Sequence, residues 1–481
     1  MMNLTISEIV QACSGRFVPG GEEEDGSRQV SCVVIDSRQV EPQGVFIAVE
    51  GERVDGHKFV SQVFAQGAAL AVVQKGPQQV EEAWGSPAQG WGSYILVKDT
   101  LQALRDIAEA YRRKLTVKVV GITGSVGKTS TKEFVAGVLS QKYRILKTEG
   151  NLNNEIGVPL TLLRIRPEHE AAVVEMGISD FGEMHRLSKM ARPDICVLTN
   201  IGQSHLNNLK DREGILRAKS EIFDYMAKDG EICLNAEDDK LSALKEIQGH
   251  KPHFFGLGKN ALEEVSVVDI VGRGLSGSDA VLRRPEGEFE VHIPLPGLHM
   301  ALNTAAAACV AGLLGLTGEE TAVGVGSVQA VSGRTNILRL SRHTVIDDCY
   351  NANPASVHAA LDLLALAEGE KVAILGDMLN LGENSNRYHK EVGVHAAQSG
   401  VSHLICVGEE SRHICQGAAD SARKIGRVSH FPDVEALVEA LERNLGVLVP
   451  EGSTILVKAS HDIGFAKALD FLRKVSEDGQ S

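Results

Sequence analysis

The segment GITGSVGKTSTK at positions 121–132 constrains this chain more than any other. It follows the apolar run VKVVGIT (117–123) and leads into the helically patterned TSTKEFVAGVLSQK. Strand, glycine turn and helix together form the context that a phosphate-binding loop requires. Phosphate oxygens need donors without steric bulk. Gly124 and Gly127 supply that freedom, so that backbone N–H groups can turn inward as a nest. The helix behind the loop adds the positive end of its dipole. Lys128 is then placed to reach the outer phosphates and Thr129 to put a hydroxyl on Mg²⁺, with Ser125, Val126 and Ser130 completing the compact loop GSVGKTS. The full G-x-x-x-x-G-K-[ST] spacing is not met, because its first glycine falls on Ile122. The competing reading is a glycine-rich turn with an incidental lysine.

A chain of 481 residues is long enough for two to four domains. Three α/β blocks are expected. Residues 1–100 form a small block with strand-like runs at 31–36, 44–50, 68–73 and 94–98, and with loops at 19–29 and 74–93. Residues 101–330 form a central block in which the loop-bearing strand is joined by the apolar runs AAVVEMG (171–177), ICVLTNIG (195–202) and EICLNAED (231–238). Such runs, separated by helical segments, predict a parallel sheet buried on both faces. Residues 331–481 alternate strand candidates at 344–350, 371–377, 403–408, 427–431 and 454–459 with amphipathic helices, a Rossmann-like pattern.

The formal net charge of −14 argues against a general nucleic-acid binder, which needs a basic face. Eight cysteines without C-x-x-C spacing signal neither a zinc ribbon nor a redox pair. The opening residues lack a basic segment followed by an apolar one. The longest apolar run, at 305–316, is too short to span a bilayer. A reducing cytoplasm is the expected setting.

Three further residues bear on the chemistry. Glu175 ends an apolar run, and the carboxyl ends of parallel strands collect on the edge that carries the phosphate loop. A carboxylate there suits Mg²⁺, although a lone strand-end Glu can equally face solvent. His205 follows the run 195–202 and falls on the same edge; alone it reads as a loop histidine. Lys219 lies in a helical stretch where Ile215, Lys219, Ile222 and Met226 share one face. A buried ammonium must be neutralised, paired or modified. Carbamylation by CO₂ would make it an anionic metal ligand, whereas snorkelling would bury the stem and leave the head in water.

Together with VVEMG, the segments GNLNNEIGVP (150–159), HLNNLKDREGILRAKSEIF (205–223), PGLHMALNTAAA (296–307), SGRTNIL (332–338), DDCYNANP (347–354) and ILGDMLNLGE (374–383) resemble the Mur ligases over nearly the whole chain, in order. DDCYNANP and LGDMLNLGE favour the member that uses D-alanyl-D-alanine. The resemblance implies that ATP phosphorylates the terminal carboxylate of a UDP-N-acetylmuramoyl tripeptide and that the amine of D-alanyl-D-alanine attacks the acyl phosphate. It implies Mg²⁺ at Thr129, Glu175, His205 and a carbamylated Lys219. Asn303, Arg334 and Asp347 become nucleotide contacts, and Ser37, Arg38, His57, Asn153 and Asn154 substrate contacts.

The chain departs from the family at KASH (458–461), where K-G-S-R is usual, at Asn207 and Asn380, where acids are usual, and at Met300, where asparagine is common. Other readings are a folylpolyglutamate-type or earlier Mur ligase and a nucleotide-dependent switch. A guanine-specific switch would carry N-K-x-D, which the sequence lacks.

Overall fold

The computed structural model describes residues 1–21, 26–51, 54–84, 91–260 and 262–478. Parts of the expected loops at 19–29 and 74–93, and residues 52 and 53 of GERVDGHKF, lie outside that set. Three sheets organise the chain.

The first sheet has five strands, in spatial order Arg16–Val18, Tyr94–Leu96, Leu70–Val73, Val45–Ile47 and Val33–Val34. All neighbours are parallel except the first pair. The expected loop at 74–93 contains the helix Pro77–Trp84. Pro77 is its first residue, where a missing N–H costs nothing.

The central sheet has nine strands. Its parallel part runs Ile145–Lys147, Ala171–Glu175, Lys118–Thr123, Ile195–Leu198, Glu231–Asn235, His253–Gly256 and Glu263–Gly272. Alternation along the strands feeds two cores. Ala172, Val174, Cys196 and Leu198 pack on one face, and Val120, Ile122, Val173 and Val197 on the other. The expectation of an all-parallel sheet is corrected at the far edge. There Ser278–Arg284 and Gly287–Ile293 add two antiparallel strands as a meander. Asp279, Arg283, Glu288, Glu290 and His292 interrupt them with polar side chains, so they lack the continuous apolar runs that mark a strand buried on both faces.

Helix Thr100–Arg113 joins the first two sheets. Its Ala103, Leu104, Ile107 and Tyr111 share one core with Met2, Ile9, Val45, Val72 and Ile95 on one side and Val119, Val174 and Leu187 on the other. The Tyr111 hydroxyl donates to Ile165 O across 2.6 Å.

The third sheet has six strands, in order Asn336–Arg339, Thr344–Asp347, Thr454–Lys458, Lys371–Gly376, His403–Val407 and Arg427–Phe431, parallel after the first pair. It has its own cores on both faces. Leu206 and Leu275, from the central part of the chain, pack against one of them. No helix among the described residues is long and apolar enough to cross a membrane.

Candidate active site

The phosphate loop leaves strand Lys118–Thr123 and enters helix Lys128–Leu139. Its two glycines are required for different reasons. A Cβ at Gly124 would lie 1.9 Å from Thr199 Oγ1, and Gly127 has φ of +82°. The segment 199–202 clamps the loop from beneath. Asn200 accepts the Ser125 N–H on its backbone oxygen and the Val126 N–H on its side chain, while Thr199 Oγ1 and Asn200 Nδ2 donate to Val126 O. The expected nest is therefore narrower than the sequence suggested, since two of its N–H groups are spent within the protein. Those of Lys128, Thr129 and Ser130 are the open donors of a helix start.

Glu175 is 1 % exposed at the end of its strand. Thr129 Oγ1 donates to its Oε2 at 2.9 Å and Asn153 Nδ2 to its Oε1 at 2.7 Å. Lys132 Nζ lies 3.9 Å from Oε2 and donates to Thr148 O, while Thr148 Oγ1 accepts the Glu175 N–H. The carboxylate is thus held on both oxygens, and the solvent-facing alternative is excluded.

His205 caps the short helix Leu206–Leu209 in a left-handed conformation, with φ of +54°. Burial, then the nearby Lys219 and Lys128 cations, push its pKa down to about 4, so the imidazole is neutral near pH 7. Lys219 sits in helix Arg212–Ser220, which Asp211 caps. Its side chain is 1 % exposed, between Ile215 and Ile222 in the core, so it does not snorkel. Among the described residues it makes no hydrogen bond or ion pair. Burial, and secondly Lys128, hold its pKa well below the usual lysine range. Lys128 donates to Gly124 O at 2.8 Å, and its pKa is lowered first by burial, against the pull of Glu175.

These groups edge a cavity of about 630 Å³ between the central and third sheets. Ser125, Val126, Gly127, Lys128, Ser130, Asn153, Asn154, Glu175, His205, Asn303 and Arg334 line it. Gly124, Thr129 and Lys219 stand behind that lining. Asn303 Oδ1 accepts from Thr131 Oγ1 at 3.0 Å, beneath the phosphate loop.

Asp347 does not line the cavity. It is 1 % exposed, and its Oδ2 accepts the Gly333 N–H at 2.9 Å, so it shapes the turn that carries Arg334. The substrate-binding residues expected in the first block are also absent from the lining. Ser37 is buried, and Arg38 is exposed and paired with Asp36. His57 is 1 % exposed with both ring nitrogens engaged, Nδ1 with Asp55 and Nε2 with the N–H groups of Gln74 and Lys75.

Sequence reasoning missed several lining residues, notably Asp348, Tyr350 and Lys458. Lys458 is 2 % exposed and donates to Asp348 Oδ2 at 2.6 Å and Asn351 O at 3.0 Å. KASH and DDCYNANP begin where adjacent parallel strands end, a neighbourhood that positions more than a hundred residues apart do not reveal.

The donor set suits a divalent cation among phosphates. Glu175 and Thr129 offer oxygens and His205 a neutral nitrogen. Among the described residues no three His, Cys, Asp or Glu side chains form a metal cluster.

Family models match three stretches: the Mur ligase family catalytic domain at 29–112, the Mur ligase middle domain at 122–311 and the Mur ligase glutamate ligase domain at 333–461. The chain is 34 % identical to the UDP-N-acetylmuramoyl-tripeptide–D-alanyl-D-alanine ligase of Bacillus subtilis, over 96 % of both chains, and 32 % identical to that of Escherichia coli, over 100 % of both. A crystal structure of MurF from Acinetobacter baumannii superposes with a TM-score of 0.84 at 31 % identity, over 98 % of each chain. MurF from Thermotoga maritima in complex with ADP gives 0.77 at 28 % identity, over 93 % of this chain and 98 % of that one. With this likeness running from end to end over a phosphate loop, a strand-end carboxylate and a buried lysine, the chain belongs to the Mur ligase family.

Proposed function

We propose that this chain is the ATP-dependent, ADP-forming ligase that joins D-alanyl-D-alanine to UDP-N-acetylmuramoyl tripeptide, in the cytoplasm, for peptidoglycan precursor synthesis. The observation that carries the reading is the full-length likeness to ligases of that name, combined with a cavity that faces Lys128 and Glu175 on one side and Arg334 and Lys458 on the other. In this reading residues 1–100 bind the UDP-sugar, 101–330 bind ATP and 331–481 complete the ligase site.

A carboxylate oxygen of the tripeptide attacks the γ-phosphorus of ATP, the bond to the bridging oxygen breaks, and ADP leaves. The amine nitrogen of D-alanyl-D-alanine then attacks the acyl carbon. Phosphate departs with the C–O electron pair, and the amine gives up a proton. Lys128 and the open N–H groups of the helix start hold the phosphoryl group while its charge shifts, the term that contributes most in such transfers. Asn303 and Arg334 orient the nucleotide. Thr129, Glu175 and His205 would hold Mg²⁺, which when bound neutralises triphosphate charge. Enclosure between two sheets excludes water that would hydrolyse the acyl phosphate.

Lys219 fits carbamylation, because burial favours the uncharged, nucleophilic form of its amine. The amine nitrogen bonds to the carbon of CO₂, a C=O electron pair moves to oxygen, and one proton leaves to solvent. The product is an anion near the Lys128 cation, whose charge disfavours a protonated Lys219.

The test is turnover with UDP-N-acetylmuramoyl tripeptide and ATP, with and without D-alanyl-D-alanine. ADP release and a product whose mass equals tripeptide plus dipeptide less water are expected only with both. Turnover with glutamate and a folate, and none with D-alanyl-D-alanine, would replace this reading with the folylpolyglutamate type.

A further inference from the structure

Arg334 enters the cleft on a turn that is fixed from below. Gly333, at φ of +74°, donates its N–H to Asp347 Oδ2, and Tyr350 donates its N–H to Gly333 O at 3.1 Å. Thr335 donates its N–H to Asp348 Oδ1 at 3.0 Å. These bonds set the backbone but leave a long side chain free to rotate. What meets the side chain is an aromatic ring, with the Arg334 guanidinium carbon 4.0 Å from the centre of Tyr350. Among the described residues the guanidinium makes no ion pair. A planar cation over a ring face keeps its in-plane N–H donors pointing outward, available to oxygens of a ligand. His461, from the KASH segment, flanks the same ring with centroids 5.6 Å apart.

We propose that Tyr350 is a positioning residue for nucleotide binding: its ring is the pedestal that holds Arg334 extended into the cleft. This rests on the reading of Arg334 as a nucleotide contact. Immobilising the guanidinium before ATP arrives removes the cost of ordering it afterwards. The gain therefore belongs to ATP affinity and not to the chemical step. The tyrosine hydroxyl has no part in it.

The test is steady-state kinetics of Tyr350→Leu, Tyr350→Phe, Arg334→Ala and the Tyr350→Leu/Arg334→Ala double variant. Tyr350→Leu should raise KM for ATP by about 3- to 30-fold, the range of a cation–π contact from exposed to desolvated. Its kcat and its KM for both peptide substrates should stay within about twofold, the scatter of independent sites. Tyr350→Phe should restore wild-type KM. The double variant should match Arg334→Ala alone, because the pedestal matters only while its cation is present. Multiplying effects in the double variant would overturn the proposal and assign Tyr350 a direct contact with the nucleotide. Unchanged KM in Tyr350→Leu would also overturn it. If instead Arg334→Ala itself leaves KM for ATP unchanged, the nucleotide role of Arg334 fails and the pedestal falls with it. Should Tyr350→Leu fail to fold, Tyr350→Gln is read by the same criteria.

Discussion

The Thr129 hydroxyl donates to Glu175 Oε2 across 2.9 Å, which ties the first turn of the phosphate-loop helix to the end of the neighbouring parallel strand. The hydrogen is spent on the carboxylate, and the hydroxyl's lone pairs stay available to a cation. Asn153 fixes the other carboxylate oxygen. Asn153→Ala should therefore raise the Mg²⁺ concentration for half-maximal ADP release by about 10- to 100-fold, as the loss of an orienting partner does, with turnover recovering at saturating Mg²⁺. A titration of initial rate against Mg²⁺ checks this; an unchanged midpoint would remove Asn153 from that role.

Lys128 starts the helix behind the phosphate loop and lines the cavity. Lys128→Ala should lower turnover by roughly 10³-fold or more, because a donor aimed at developing charge in a water-poor site is worth several kcal/mol. ADP release under saturating substrates measures it, and near-normal rates would refute the phosphate-loop assignment.

For Lys219, the carbamate reading predicts chemical rescue. Lys219→Ala should lose most activity and regain part of it with millimolar acetate or propionate, whose carboxylate can enter the space left by the side chain. The absence of rescue, together with an unmodified Lys219 in native mass spectra, would count against the carbamate.

His57 accepts two backbone N–H groups on Nε2, which only a neutral ring can do. Burial accordingly lowers its pKa. Unfolded His57 takes up a proton near pH 6.5 that the folded ring refuses, so the unfolded state binds more protons below that pH. Stability from this residue is present above about pH 6.5 and declines as pH falls towards the folded value. Thermal melting from pH 7.5 to 5 should show this slope in the wild type and a shallower one in His57→Asn. Equal slopes would reject the account.

Much of this was legible in the sequence. The apolar runs at 117–123, 171–177 and 195–202 became neighbouring strands; of the expected helical face, Ile215 and Lys219 are buried in helix Arg212–Ser220 and Ile222 in the turn after it, while Met226 lies beyond the helix and is only half-buried. Local pattern could not reveal the antiparallel meander, whose strands are broken up by polar residues, or the short strand Arg16–Val18. The site was harder to read than the fold. Motif and strand end marked Lys128 and Glu175, but Tyr350 and Lys458 enter the cavity only because separate parallel strands are neighbours in the third sheet. Family likeness put Asp347 and His57 near ligands; the structure adds that each also accepts backbone N–H groups, which local pattern does not show.

Helix Thr100–Arg113 has a consequence for how the molecule can be divided. Its apolar face is mortared into both neighbouring sheets at once, so residue 100 is a seam in the sequence but not in cohesion. A fragment ending at residue 99 would leave Ile9, Val45 and Val72 without a lid, and one beginning at 100 would present Leu104, Ile107 and Tyr111 to water. On heating, the first two sheets should come apart as one cooperative unit, while the third, with cores of its own, is free to melt at a different temperature.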